Sequence, residues 1–337
     1  MEIKTQYSLK ALNTFRVEAS AQQYVCFRTT GEIGSFLASH PLGDRQFLVL
    51  GGGSNLLFIT DFQGVILHPC LKGITVLAES ADGIRVKVMA GESWDDFVAH
   101  AVDKGWAGVE NLSLIPGHVG ASAVQNIGAY GREVKDVIES VEAIHIRDLK
   151  KETIPAARCG FGYRDSHFKK EWKDQYIITA VTFVLSKKPA YTTHYAGVRQ
   201  EIEKLGGPSL FNLRQAVINI RRRKLPDPSE IGNAGSFFKN PVIDAAVFAR
   251  LNQTYPELPH YIQTDDRIKL AAGWLIERCG WKGKSVGDAA VYPKQALVIV
   301  NSGQATGREI YNFSEEIRKT VQEKFGIELE REVRVVE

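Results

Sequence analysis

The sequence is short of cysteine and of net charge and has no long hydrophobic run, and each shortage removes a class of protein. Four cysteines, Cys26, Cys70, Cys159 and Cys279, are scattered through 337 residues. None forms a CxxC pair, so a structural zinc site lacks the ligand spacing it needs. No apolar stretch approaches the roughly 20 residues of a membrane-spanning helix. The opening Met1-Glu2-Ile3-Lys4-Thr5 lacks the apolar core of a signal peptide. A reducing cytoplasm, with no membrane partner, is the expected setting. The 42 basic and 39 acidic residues leave a formal charge of only +3, which argues against a dedicated nucleic-acid binder. No internal repeat or low-complexity segment is present.

What is there is an ordinary globular composition, 44% apolar and 24% charged, on a chain long enough for two or three domains with real cores. Its organising stretch is Leu48-Val49-Leu50-Gly51-Gly52-Gly53-Ser54-Asn55-Leu56-Leu57-Phe58. Residues without side chains let the backbone approach a ligand closely, and successive free amides form a nest that suits phosphate. Alone, the loop fits two readings, a grip on a dinucleotide pyrophosphate or a tight turn between strands. A Rossmann fingerprint requires G-x-G-x-x-G opening into a helix, whereas Leu56 to Ile59 reads as strand. A second glycine-rich region runs from Ile115-Pro116-Gly117 to Asn126-Ile127-Gly128-Ala129-Tyr130-Gly131. Two such loops within a hundred residues favour a large ligand.

Around these loops the pattern predicts a mixed α/β chain. Strands are expected at Tyr24–Phe27, Phe47–Leu50, Val65–Leu67, around Ile84–Ala90, Val141–Ile146 and Tyr176–Val184. Helices are expected from Thr30, as its own cap, to Leu37, and from a Ser93 cap to a stop at Lys104-Gly105. Another is expected over Leu213–Arg223, with Asn212 and Gln215 as a capping pair and the basic run Arg221-Arg222-Arg223-Lys224 as its solvated end. Gly232 to Pro241 looks too polar and too broken by glycine for a strand interior. Ala271–Cys279 and Gly307–Phe325 read as helices, the second with a Thr306/Glu309 capping box and an apolar stripe of Ile310, Phe313, Ile317, Val321 and Phe325. Glu328–Val336 alternates as a final strand.

Six stretches in order over essentially the whole chain resemble the UDP-N-acetylenolpyruvoylglucosamine reductases (MurB). They are Leu50–Leu57, Ile115–Gly131, Tyr163-Arg164-Asp165-Ser166, Gly232–Pro241, Ala271–Glu277 and Glu332-Val333-Arg334. The resemblance implies an α/β (α+β) protein of three domains, a two-domain FAD-binding fold of the vanillyl-alcohol-oxidase-like type plus a C-terminal substrate-binding α/β domain. The implied boundaries are 1–70, rejoined by 327–337, then 71–225 and 226–326. FAD would be held non-covalently, because Ser54 and Asn55 stand where some relatives on this fold attach flavin through histidine. Gly51, Gly52, Gly53, Ser54 and Asn55 would contact FAD, as would Ile115, Pro116, Gly117, Ser122, Ile127, Gly128 and Tyr130. Two departures from the family pattern are Arg16, where glycine is common, and Ala121, where serine often stands.

The resemblance further implies a reaction in which NADPH reduces FAD and the flavin passes hydride to C3 of UDP-N-acetylglucosamine enolpyruvate, giving UDP-N-acetylmuramate. Arg164 would pair with the substrate carboxylate, since its planar fork matches it and keeps its proton. Ser236 would protonate C2, and Glu332 would act as a neutral acid beside the developing charge. Tyr163, Tyr195, Lys224, Asn240, Tyr261, Lys269 and Gln295 would bind substrate, with Tyr191 the alternative to Tyr195. Both partners, NADPH and the enolpyruvyl nucleotide, are small molecules, and a monomer is expected. Two rivals remain at this level, a flavin-dependent alcohol oxidase and a flavin-free nucleotide-sugar binder.

Overall fold

A computed structural model describes residues 1–195, 197–263 and 266–337. The chain divides into two compact units. One comprises Met1–Tyr7, Ala21–Gly53 and Gln63–Arg222, the other Ser8–Ser20, Ser54–Phe62 and Arg223–Glu337.

The first unit contains two large sheets among its described residues. In one, the strand order is Glu2–Ser8, Ser20–Phe27, Phe62–Pro69, Phe47–Val49. The last two run parallel, Phe47 opposite Val65 and Val49 opposite Leu67, so the chain leaves Phe47–Val49 straight into the glycine loop. The helix Thr30–Ser39 buries Ile33, Phe36 and Leu37 against Val25, Phe27, Val65 and Leu67 of this sheet. Its cap is Thr29, one residue earlier than expected, because Glu32 closes a capping box with Thr29.

The other sheet is antiparallel throughout, in the order Lys151–Pro155, Ile138–His145, Tyr176–Ser186, Gly83–Met89, Ile74–Glu79. Ile84, Val86 and Val88 turn inward on the alternation of Gly83–Met89 and meet Trp94, Phe97, Val98 and Ala101 of the helix Trp94–Asp103. Full burial of such a side chain stabilises by about 1.5–3 kcal/mol. Ser93 caps that helix as expected, accepting from the Asp96 amide. The helix Leu210–Lys224 starts three residues before the expected Leu213. Ser209 accepts from the Asn212 amide, and the Asn212 side chain instead bonds the carbonyls of Leu205 and Gly207.

The second unit carries an antiparallel sheet in the order Gly232–Ser236, Val298–Asn301, Ala289–Val291, Ser285–Val286. The first strand overturns the expectation that this stretch is too polar and broken for a strand interior. Its polar Asn233 is buried with its amide spent on the Ile231 and Pro226 carbonyls. Its glycine break is a register shift between Asn233 and Ser236, where Gly235 takes φ +69°. The helix Gly307–Phe325 matches its expected bounds, with the Thr306/Glu309 capping box and Gly326 at φ +68°. Its five-residue apolar stripe is buried. Of the expected final strand only Arg334–Val336 forms, parallel to Leu56–Phe58. The residues before it bond instead to the 237–239 segment, through Glu332 N–H to Phe237 O and Lys239 N–H to Glu330 O.

Candidate active site

Gly51–Gly53 follow Leu50, whose amide still bonds Leu67 O at 2.9 Å. Beyond it the ladder ends, and among the described residues no protein group takes the amides of Gly51, Gly52 and Gly53. A Cβ on Gly52 would lie 2.7 Å from Gly117 Cα, and one on Gly51 would lie 3.0 Å from the Ala121 methyl. The two glycine loops therefore approach backbone to backbone, which only residues without side chains permit. This cradle fits a diphosphate, because free amides and small residues line it. Behind it, His118 packs on Gly52 and stacks on His68, ring centroids 5.8 Å apart, and His68 meets the Tyr24 hydroxyl at 2.9 Å. His68 Nε2 and His118 Nδ1 are buried without a hydrogen bond. Burial, with His118 and Lys72 adding to it, pushes the His68 pKa down to about 4, and His118 is lowered by burial and Lys72.

The helix Val119–Val124 opens the second loop, and the Ser122 hydroxyl donates to Val119 O at 2.6 Å inside it. After it, the chain forms a small hairpin, Gly128–Ala129 with Arg132–Glu133. Asn126, fully buried at φ +44°, ties this hairpin to the turn that carries Tyr163 and Arg164. Its amide donates to Gly162 O at 2.8 Å and to Glu133 Oε2 at 3.1 Å, while its carbonyl accepts from the Lys135 amide. Arg164 sits at φ +55° and donates to Gly128 O, and its guanidinium lies over the Tyr163 ring. Left-handed backbone at Leu114, Asn126, Tyr130 and Arg164 gathers strain around one site. Tyr195 meets Tyr130 edge to face, centroids 5.7 Å apart; Tyr191 lies in the same insert, and both tyrosines are exposed.

Arg221 differs from the solvated helix end expected of it. Its Nε is buried without a partner. Burial lowers its pKa, Tyr130 and Asp95 oppose the shift, and Arg164 adds to it. The signal lay in the sequence, since Arg221 follows the buried Leu213 and Val217 at helical spacing. Asp95 and Asn126 were also missed as site-builders, because each works through contacts distant in sequence.

The second unit contains Ser54, Asn55, Lys224, Ser236, Asn240, Tyr261, Lys269, Gln295 and Glu332. Arg164 thus belongs to one unit, Ser236 and Glu332 to the other. Ser236 ends the strand Gly232–Ser236 opposite Val298. The next residue, Phe237, accepts from the Glu332 amide at 2.8 Å, so Ser236 and Glu332 lie on adjoining segments. Asn55 fixes the second of these by donating to Glu332 O at 3.0 Å, and the Arg334 amide donates to Asn55 O. Tyr261 and Lys269 are cross-strand partners, with the ammonium 5.8 Å from the ring centroid. Asn240 Oδ1 accepts from the Ala272 amide at the start of the helix Ala272–Arg278. Gln295 Oε1 faces Gly273 of that helix, where a Cβ would approach it to 3.1 Å. Lys224 is exposed.

Among the described residues no group of three or more His, Cys, Asp or Glu side chains could hold a metal ion, and no helix is long and apolar enough to cross a membrane. Residues 227–336 match the family model described as UDP-N-acetylenolpyruvoylglucosamine reductase, C-terminal domain, and residues 21–148 match that of an FAD binding domain. The chain is 47% identical over 334 residues to the UDP-N-acetylenolpyruvoylglucosamine reductase of Bacteroides fragilis, covering 99% of this chain and 100% of the relative. It is 46% identical to that of Flavobacterium johnsoniae, covering 100% of both. The crystal structure of the reductase from Thermus caldophilus superposes with a TM-score of 0.67 at 26% identity, covering 100% of this chain and 98% of the other. With two family models and full-length relatives in agreement, the chain belongs to the UDP-N-acetylenolpyruvoylglucosamine reductase family.

Proposed function

We propose that the protein reduces UDP-N-acetylglucosamine enolpyruvate to UDP-N-acetylmuramate for peptidoglycan synthesis, with FAD bound non-covalently and NADPH as reductant. The observation that carries this reading is the adjoining of the Ser236 and Glu332 segments within a chain that matches the family from end to end. FAD, when bound, supplies the two-electron carrier between NADPH and the enolpyruvyl group. The protein's own groups do the rest. The amides of Gly51–Gly53 and the Ile115–Gly117 turn take the diphosphate, and Ser54, Asn55, Ser122, Ile127, Gly128 and Tyr130 complete the cofactor contacts. Arg164 pairs its guanidinium with the substrate carboxylate, where preorganised charge lowers the barrier most. Ser236 Oγ gives its proton to C2, and Glu332 stands by as the acid that supports the charge forming on the carboxylate.

Lys224 and Tyr195 bind the substrate diphosphate, with Tyr163, Asn240, Tyr261, Lys269 and Gln295 around the sugar and enolpyruvyl groups. The contact of Tyr195 with Tyr130 favours it over Tyr191. The three-part division into 1–70 with 327–337, 71–225 and 226–326 belongs to the same reading, supported by the pairing of Arg334–Val336 with Leu56–Phe58. So does a monomer working in the cytoplasm. A visible spectrum tests the core of the proposal. The flavin band should bleach with NADPH without oxygen and return on addition of the enolpyruvyl substrate. Rapid reoxidation in air without response to NADPH would point to an oxidase instead, and protein unable to take up FAD would sink both.

A further inference from the structure

Asp95 is the second residue of the helix Trp94–Asp103, and its carboxylate is wholly committed. Oδ1 accepts from the Leu114 amide and from Arg214 Nη1 at 2.7 Å, and Oδ2 accepts from Arg214 Nη2 at 2.9 Å. A fork-to-fork pair of this kind fixes both partners in angle as well as distance. Leu114 sits at φ +58°, a costly backbone for a branched residue, and it leads directly into Ile115-Pro116-Gly117. Arg214 lies seven residues before Arg221 on the helix Leu210–Lys224, so the two share a face. Arg221 in turn feels Tyr130, Asp95 and Arg164, and its Nε is buried without a partner. Burial works against the charge on Asp95, but Arg214, the Leu114 amide and Arg221 outweigh it and hold the carboxyl below its ordinary range.

We propose that Asp95 is a positioning residue of the cofactor site. It clamps Leu114 in its strained conformation and, through Arg214, sets the helix face that presents Arg221. One carboxylate thereby links the entry of the second glycine loop to the cationic cluster around Arg164. Neither group has to reorganise when an anionic ligand arrives, and such preorganisation is where affinity is gained. The inference rests on the FAD reading above.

The test uses the full-length protein and the variants Asp95→Asn, Arg214→Gln and Arg214→Lys, with hydrogen exchange on flavin-free protein and titration with FAD followed by flavin fluorescence. Asp95→Asn should speed exchange of the Leu114 amide, from which Asp95 accepts, while Phe97–Ala101 keeps its protection. It should raise the FAD dissociation constant on the order of 10- to 100-fold, the size of loss seen when a group that orients a metal ligand is removed. Arg214→Lys, which keeps the charge without the fork, should fall between wild type and Arg214→Gln. A folded Asp95→Asn protein that binds FAD like wild type would overturn the proposal, as would loss of protection throughout the helix, which marks a merely structural role. If wild type itself takes up no FAD, the cofactor reading fails. Selective loss of protection at the Leu114 amide of Asp95→Asn would still uphold Asp95 as the clamp.

Discussion

Arg16, expected from the sequence to stand where glycine is common, holds a left-handed backbone, φ +56°. A side chain there costs on the order of 1 kcal/mol or more, and the structure offsets it locally. The Arg16 amide closes a turn on Asn13 O at 3.1 Å, Asn13 bonds the Leu9 and Val17 carbonyls, and the guanidinium donates to Ser229 O. Ala121, the other departure, puts its methyl against Gly51. At this scale the sharpest expectation concerns Ser236. Ser236→Ala should leave reduction of flavin by NADPH near the wild-type rate in stopped-flow absorbance. Reoxidation by the enolpyruvyl substrate should slow by about 10²–10⁴-fold, the usual contribution of a positioned proton donor. Equal slowing of both half-reactions would remove Ser236 from that role.

At the scale of elements, the helix Gly307–Phe325 was fully legible, because its cap, stripe and stop all lie within its own sequence. Thr306→Ala should cost about 1 kcal/mol, read as a lower urea midpoint at unchanged slope. No change in midpoint would mean that the capping box adds nothing to this fold. The strand Gly232–Ser236 was not legible, and the reason is physical. Its pairing depends on Val298–Asn301, more than sixty positions away, and on a close approach of Gly232 to the Phe15 carbonyl that no local pattern announces. Arg221 falls between these cases. Its helical spacing from Val217 marked the buried face, but its charge suggested solvent.

For the molecule as a whole, the stacked pair of buried His68 and half-buried His118 should set the acid side of its stability. Burial pushes the His68 pKa from an ordinary 6.5 down to about 4, and His118 is also lowered, so both bind protons more readily when the chain unfolds. Their contribution is therefore intact above about pH 6.5 and is lost as pH falls through that window. For His68 alone the loss by pH 4 is roughly 3 kcal/mol. Urea unfolding at pH 7.5, 6 and 5 should show the midpoint falling, with a shallower fall in His68→Gln. An identical fall in that variant would assign the acid sensitivity elsewhere.

The sequence by itself determined the family, the two glycine loops and the boundaries of its best-capped helices. Each of these is written in short-range patterns of size, polarity and backbone freedom. Only the tertiary structure decided what those patterns meet. It brought Gly52 against Gly117, the Ser236 segment beside Glu332, and Asp95 onto both Leu114 and Arg214. Contacts between distant residues depend on how strands and helices pack, and packing is a property of the whole chain rather than of any stretch of it.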